Sequence, residues 1–438
     1  MLTPNNPSIQ QSNNPTIHPL CSIPELPLGI KSASNLRMLT PESRRRDFPT
    51  LDRMIYLNTA AEGIPPATIG QALQEYWRDK LEGMRGRDAH FARYEQCRVA
   101  AAHMVGLAPS EVSFCSCSSK AYNLLADAIE FKGKDEVVIT DLDFPSGATP
   151  WFCNPARPKI KLWKSQEGDL LVADLLPLLN KRTRLVQVSL VSFYNGHRLR
   201  WAPFIGSVRS CAPNAFVSVD VTQAIGRIVL DCSDADCIIS STHKWLLGLH
   251  GGCIVGIRER SAARLTARAG GWFHLTNAFE PDRFERVVSK QGAPSFSVGM
   301  PNFASIYALN AACQYIDAVS VTEIARQADP LVSVVHRGIS ELGLAPMTSF
   351  DPANTGGIVA FQHSQSALLH AALDQHHIQV MHSAGRIRIS IHGYNTLEDV
   401  QNFLTSLSQV IPARPAQSLA AVEVASTNAG RSLPGGGA

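Results

Sequence analysis

From Glu111 to Arg258 the sequence alternates between short, continuous apolar runs and longer stretches of helical spacing. The runs EVSFCS, EVVIT, IKLWK, RLVQVSLV, AFVSVDV, DCIIS and GCIVGIR are rich in Val and Ile, and each is bounded by Gly, Pro or charged residues. A strand with one wet face alternates apolar and polar residues; an unbroken apolar run belongs to a strand covered on both faces. Strands of that kind separated by helices predict an α/β domain with a mostly parallel, seven-stranded sheet between layers of helix. Ligands of such sheets sit beyond the carboxyl ends of the strands. Those ends are therefore the first place to look for chemistry.

Before this series, PATIGQALQEYWRDKL and ARYEQCRVAAAHMVG have helical spacing, and SKAYNLLADAI follows the first strand. After Pro301 the texture changes: a long helical stretch leads to GGIVAFQ, SALLHAALDQHH, IQVMH, RIRISIH and NTLEDVQNFLTSLSQV, a smaller α+β unit. The expected organisation is a disordered extension over 1–45, a large domain over 46–310, a small domain over 311–411 and a disordered tail over 412–438. The N-terminal segment MLTPNNPSIQQSNNPTIHPL is rich in Asn, Pro, Ser and Gln, a composition too polar to offset the entropy of ordering. MLTP recurs at Met38, which suggests that the working chain starts there.

Composition removes several classes. A net charge of +3 gives no basic face for nucleic acid or anionic membrane. No apolar run approaches the roughly 18 residues of a membrane span. The ten cysteines contain no C-x-x-C pair, and with the 14 histidines they show no metal-ligand spacing. Reduced cysteines in a cytoplasmic protein, with no metal, are the expectation. G-x-G-x-x-G, Walker, G-x-S-x-G and H-E-x-x-H patterns are missing, so dinucleotide, P-loop, hydrolase and zincin chemistry start low.

Several residues at strand ends carry possible chemistry. Asp220 closes FVSVD, where a carboxylate needs a partner or serves as the cap of the next turn. Lys244 follows CIISSTH and precedes Trp245, an apolar setting that lowers a lysine's pKa and suits it to covalent chemistry with an aldehyde. Taken alone it is a surface lysine. Ser118 and Ser119 stand at a strand-to-helix junction, as plain caps or as an anion site. Phe144 in DLDFPSG is a core residue or a stacking partner for a flat ring. Arg386 and Arg388 share one face of a strand, either a solvated basic edge or a clamp for a carboxylate.

Together these residues resemble the class V aminotransferase family of fold-type I pyridoxal-phosphate enzymes, over about residues 56–400. SSTHKWLLGLHGG resembles the family's lysine segment, which makes Lys244 the Schiff-base lysine and assigns phosphate contacts to His243 and Ser241. VDVTQAIG resembles the D-x-x-Q element, giving the pyridinium nitrogen to Asp220 and the ring's phenolic oxygen to Gln223. CSSKAYNLLA falls where the family binds phosphate, so Ser118 and Ser119 inherit that role. RIRISIHGYNT resembles R-x-S-x-x-x-Y-N-T, which makes Arg388 rather than Arg386 the substrate-carboxylate anchor. Asn58 joins it as a substrate contact, and Tyr194, His197 and Trp272 are further pocket candidates.

The resemblance also implies a homodimer with its site at the subunit interface, where Met300 replaces a phosphate-contacting threonine. Departures narrow the branch. Phe144 stands where cysteine desulfurases have histidine, and no cysteine follows Cys313 to serve as their loop nucleophile. Both departures favour an epimerase- or lyase-type reaction, of the isopenicillin N epimerase-like or kynureninase-like branch. The alternatives are an aminotransferase, a cysteine desulfurase or C–S lyase, and a non-catalytic relic of the fold.

Overall fold

The computed structural model describes residues 39–351 and 355–411. The expectations for the first 38 residues, for a start at Met38 and for the tail from 412 lie outside the described residues. The chain begins with α1 (Pro41–Asp47), β1 (Ile55–Tyr56), α2 (Ala67–Leu81) and α3 (Arg87–Val105). Alternation follows: β2 (Val112–Cys115), α4 (Ser118–Ala128), β3 (Glu136–Thr140), α5 (Pro145–Cys153), β4 (Lys159–Trp163), α6 (Val172–Leu175), β5 (Thr183–Ser189) and α7 (Trp201–Cys211). Then come β6 (Phe216–Asp220), β7 (Cys237–Ser241), β8 (Cys253–Ile257) and α8 (Glu259–Ala262). The C-terminal part holds α9 (Phe303–Val319), α10 (Val321–Glu341), β9 (Ile358–Gln362), α11 (Ser366–Gln375), β10 (Ile378–Gln379), β11 (Met381–Ser383), β12 (Arg386–Ser390) and α12 (Leu397–Val410).

The seven expected strands form one sheet in the order β2-β8-β7-β6-β5-β3-β4, and only β8 runs antiparallel to its neighbours. Because successive side chains point to opposite faces, the same strands feed two cores. Val138, Val186, Val188, Val217, Val219 and Ile238 face one, and Val137, Ile139, Leu185, Cys237, Ile239 and Val255 face the other. Burial on both faces is the reason these runs are unbroken. β4, at the sheet's edge, is the exception: it exposes Lys159, and Lys161 reaches back to Glu136 at 2.6 Å. Charge on an edge strand blocks pairing with another chain.

β9, β11 and β12 form a separate three-stranded sheet with β12 in the middle. Its core gathers Val359, Phe361, Ile387, Ile389, Phe403 and Leu57. Three expectations change here. The helical stretch after Pro301 is broken at Ser320, whose positive φ of 71° ends α9 and whose hydroxyl caps α10 by accepting from Glu323 N–H. The basic pair on β12 is not a wet edge, because a central strand has neighbours on both sides and all five of its residues are buried. Residues 41–45, assigned to the extension from sequence, are helical: Thr40 and Ser43 build a reciprocal capping box and Pro41 starts α1.

The HGYNT element ties the two sheets together. Ser390 Oγ accepts from Ala60 N–H at 3.0 Å and donates to the Leu57 carbonyl at 3.2 Å. Asn395 Nδ2 donates to the Tyr56 carbonyl at 2.9 Å, Tyr394 hydrogen-bonds Thr59 through its hydroxyl, and Thr396 caps α12. The segment 56–60 is thereby stapled to β12, and Ala60 carries the staple on towards the main sheet. Ser390→Ala removes a buried acceptor and strands the Ala60 N–H. The denaturation midpoint is expected to fall by the equivalent of about 1–3 kcal/mol in chemical unfolding of the apoprotein; an unchanged midpoint would mean the staple is idle.

Candidate active site

A cleft opens at the carboxyl ends of the parallel strands, where every element turns away from the sheet. Its walls are Ser118 after β2, Phe144 and Ser146 after β3, Ser189, Val191 and Phe193 from the end of β5, Asp220, Thr222 and Gln223 from the end of β6, and Ser241, His243 and Lys244 from the end of β7. Five strand ends thus supply one site, which is the position expected for such a sheet.

Asp220 is only 6% exposed. Its Oδ2 accepts from the Tyr122 hydroxyl at 3.0 Å and its Oδ1 from Thr222 N–H at 2.8 Å. Burial, then the Asp220 charge, push the Tyr122 phenol well above its ordinary pKa, so it stays a donor. The strand-end carboxylate is held by two hydrogen bonds, and no cation pairs with it among the described residues. Sequence patterns did not single out Tyr122 or Thr222. Tyr122 is four residues along α4 from Ser118, a helical step that turns the phenol inward while the helix start faces the cleft.

Lys244 approaches from the far side. Its Nζ lies 5.3 Å from the centroid of the Phe144 ring. Burial lowers its pKa to about 8, opposed by the Asp220 and Glu62 charges and reinforced by Arg388. An ammonium near pH 8 is neutral for a useful fraction of the time, which is what a lysine nucleophile or base requires. The loop can pass so closely because residue 63 is glycine: a Cβ there would stand 2.0 Å from the Lys244 carbonyl oxygen, and Gly63 N–H donates to the His243 carbonyl at 2.8 Å.

Gln223 is oriented by its neighbours. Trp245 Nε1, which can only donate, gives its hydrogen bond to Gln223 Oε1 at 2.6 Å, so the amide nitrogen must face the other way. That nitrogen donates to the Ala60 carbonyl at 3.0 Å and keeps one hydrogen for a ligand. Trp245 is held in turn by His392. His392 Nε2 donates to the Trp245 carbonyl at 3.1 Å while its Nδ1 accepts from Gly393 N–H, a neutral tautomer that burial maintains by lowering the pKa to about 3.

Ser118 opens α4, and Cys117 before it makes no side-chain cap. The plain capping alternative is thus not what the serines do. The eleven-residue helix starts at the cleft wall, and the unpaired N–H groups of a helix start suit an anion. Ser119 is exposed beside it and outside the cleft wall. Ser241 ends β7 with its N–H on Thr222 Oγ1 at 3.0 Å. His243 stacks on His250 at 4.2 Å, and burial lowers its pKa to about 4, aided by Lys244 and His250. Glu62 pairs with His250 at 3.1 Å. These three bring ligand atoms within 4.8 Å of one another, a grouping from distant positions that sequence spacing could not reveal.

Phe144 keeps 41% of its surface exposed and meets Phe193 edge-on at 4.9 Å. It is a wall of the cleft rather than a core residue. Arg388, 2% exposed, meets the cleft through that wall: its Nη1 donates to the Phe193 carbonyl at 2.7 Å. Burial and the Arg386 charge lower its pKa to about 10. Asn58 bridges Ser390 through its backbone, and its Oδ1 has no partner.

Two pocket candidates fall elsewhere. His197 is buried away from the cleft, accepting from Leu170 N–H at 3.3 Å and bonded to Asp169 at 2.9 Å. It fixes the base of the tight turn that carries Phe193 and Tyr194, a positioning task. Trp272 packs edge-on against Phe273 at 5.6 Å, outside the cleft wall. Tyr194 lies beside the site, under the Arg386 guanidinium at 4.1 Å.

The sequence signature of the family described as Aminotransferase class-V matches residues 55–403, and the chain belongs to that family. Among relatives, the uncharacterized aminotransferase YcbU of Bacillus subtilis is 24% identical over 376 residues, covering 84% of this chain and 97% of its own. A probable cysteine desulfurase of Pyrococcus abyssi is 27% identical over 413 residues, covering 85% and 98%. Among solved structures, an apo cysteine desulfurase from Thermococcus onnurineus superposes with a TM-score of 0.78 at 24% identity, over 86% of this chain and 98% of that one. C-DES, solved with glycine covalently linked to its pyridoxal-phosphate cofactor, gives 0.76 at 20% identity, over 83% and 98%. At these identities the structures bear on the fold. The names leave unconfirmed, and are partly at odds with, the epimerase-like or kynureninase-like branch expected from Phe144 and from the lack of a cysteine after Cys313.

Pyridoxal phosphate is the coenzyme of this family, and the residues fit it. A depressed lysine, a strand-end carboxylate without a cation, an uncapped helix start and an exposed aromatic face all open on one cleft. Asp143, just outside the wall, gives this arrangement a pH signature. It is 8% exposed, and burial raises its pKa to about 7, against hydrogen bonds from Thr140 N–H and Ser189 and with help from the Asp220 charge. An unfolded aspartate titrates near 4. Between those values the folded apoprotein holds a proton that the unfolded chain has lost, so stability falls as pH rises from about 4 to 7. Asp143→Asn should flatten that fall in urea titrations at stepped pH; an equal slope in both proteins would place the Asp143 proton elsewhere.

Proposed function

We propose that this chain is a pyridoxal-phosphate-dependent enzyme acting at the α-carbon of an amino acid, of epimerase or lyase type. The observation that carries the reading is Lys244: an amine lowered to about 8, set 5.3 Å from the Phe144 ring, just past the end of β7, the strand that pairs with the one Asp220 closes. The bound coenzyme supplies an electron sink for the pair of electrons left when a bond at the α-carbon breaks. The protein does the rest. Lys244 would hold the coenzyme covalently at rest and, as a free amine, would move the α-proton as base and acid. Asp220, its direction fixed by Tyr122 and Thr222, would keep the pyridine nitrogen protonated. Gln223 would donate to the phenolic oxygen, and Phe144 would offer its face to the ring. Ser118, Ser241, His243 and the start of α4 would hold the phosphate, while the Ser119 side chain, exposed outside the cleft wall, is not part of that set. Arg388 binds the α-carboxylate, with Asn58 beside it, and so sets which bond stands perpendicular to the ring.

A desulfurase reading is favoured by the names of the relatives, the probable desulfurase of Pyrococcus abyssi among them. Against persulfide formation on the chain, no cysteine follows Cys313. Burial also pushes the Cys115 thiol up to about 12, and the Cys253 thiol well above its ordinary value. Products separate the readings when L-cysteine and other amino acids are supplied to the loaded protein. Alanine marks desulfuration, pyruvate with ammonia marks elimination, and the D-enantiomer marks epimerisation.

The working unit in this reading is a homodimer in a reducing compartment. Phe279 and Phe284 expose 76% and 89% of their surface, and Met300 exposes 46% where the partner would touch the phosphate. Every cysteine among the described residues is unpaired. No helix among them is long and apolar enough to cross a membrane.

The test common to all three outcomes is exchange of the α-proton in deuterium oxide, followed by NMR on a panel of L- and D-amino acids. Exchange is expected with at least one amino acid, and Lys244→Ala should reduce it by about 100-fold or more. Exchange that survives in Lys244→Ala would remove the lysine from the mechanism.

A further inference from the structure

Two arginines, not one, converge on the turn that closes the cleft. Arg386 and Arg388 lie two apart on β12 and project from the same face of its sheet. They are 3% and 2% exposed. Arg388 is spoken for if it binds the α-carboxylate. Arg386 is not. Its guanidinium lies over the Tyr194 ring at 4.1 Å and 6.0 Å from the Phe193 ring. Its Nε and Nη1 have no hydrogen-bond partner, and Nε of Arg388 has none either. No carboxylate pairs with either arginine among the described residues.

A buried cation without a counterion is costly, and two side by side are more so. Stacking on Tyr194 uses the face of the guanidinium and leaves its edge free, the edge that binds a carboxylate through parallel hydrogen bonds. A residue needed only to pack against Tyr194 would not have to carry a charge.

Building on the function proposed above, we propose that Arg386 binds a second anionic group of the substrate, which is therefore an α-amino acid whose side chain ends in a carboxylate or a similar oxyanion. The α-carboxylate takes Arg388, and the distal group takes the free edge of Arg386. The charge that makes β12 costly to bury alone becomes a selector for dianionic substrates. Neutral amino acids of the same length leave Arg386 unpaired, which is the basis of discrimination.

The test titrates the coenzyme-loaded protein with L-aspartate, L-glutamate and L-2-aminoadipate against L-asparagine, L-glutamine and L-norvaline, following coenzyme absorbance. At least one acidic amino acid is expected to half-saturate at about 10- to 100-fold lower concentration than its neutral counterpart, the range of a charge-assisted hydrogen bond. Arg386→Gln should bring that ratio close to one, and Arg386→Lys should keep part of it. Equal responses to acidic and neutral amino acids in the wild type overturn the proposal and leave the proposed function standing. A ratio that persists in Arg386→Gln also overturns it. If no amino acid of either kind perturbs the absorbance, the proposed function fails and this inference falls with it.

Discussion

Asp220 is a carboxylate fixed at the end of a buried strand with two hydrogen bonds and, among the described residues, no cation in contact, and much of the molecule is arranged around that constraint. A buried charge is tolerated only when its lone pairs are met. Here Tyr122 comes from the helix after β2 and Thr222 from the turn after β6. The remaining capacity faces a cleft in which Lys244 is partly desolvated. Burial works against the Lys244 charge, and the Asp220 carboxylate across the cleft offsets only part of that. A coenzyme with a basic ring nitrogen at one end and an aldehyde at the other answers both at once. The parallel sheet makes this possible, because it brings the ends of β6 and β7 side by side.

The second constraint is that the substrate end of the cleft is built by a different sheet. Arg388 belongs to β12, whose neighbours are β9 and β11, and its alignment with the coenzyme depends on the contacts that join β12 to the main sheet. The chain of hydrogen bonds runs from Ser390 through Ala60 to Gln223, and from His392 through Trp245 back to Gln223. The residues after the arginine in RIRISIHGYNT are therefore joints. They register one sheet against the other to within a hydrogen-bond length, the precision on which orientation at the α-carbon depends.

Much of this was legible in the sequence because burial on both faces writes itself as unbroken apolar runs. All seven strands of the main sheet lie where those runs predict, and the strand-end residues Asp220 and Lys244 share the cleft. What was not legible has physical reasons. α5 is a helix that contains Gly147 and Pro150, and its sequence resembles a loop. His197 is polar and close in sequence to Phe193, but it is buried away from the cleft and spends both ring nitrogens on the turn at Asp169 and Leu170. Tyr122 and Trp245 act through contacts 98 and 22 residues away, which no local pattern encodes. Arg386 was indistinguishable from a wet edge residue until β12 proved to be a central strand.

The central claim is that one coenzyme is held covalently by Lys244 and faced by Asp220. Borohydride reduction of the protein loaded with pyridoxal phosphate, followed by proteolysis and mass spectrometry, reads the attachment site directly. A single phosphopyridoxyl adduct is expected, on the peptide containing Lys244. An adduct on any other lysine, or none after saturation with the coenzyme, would contradict it.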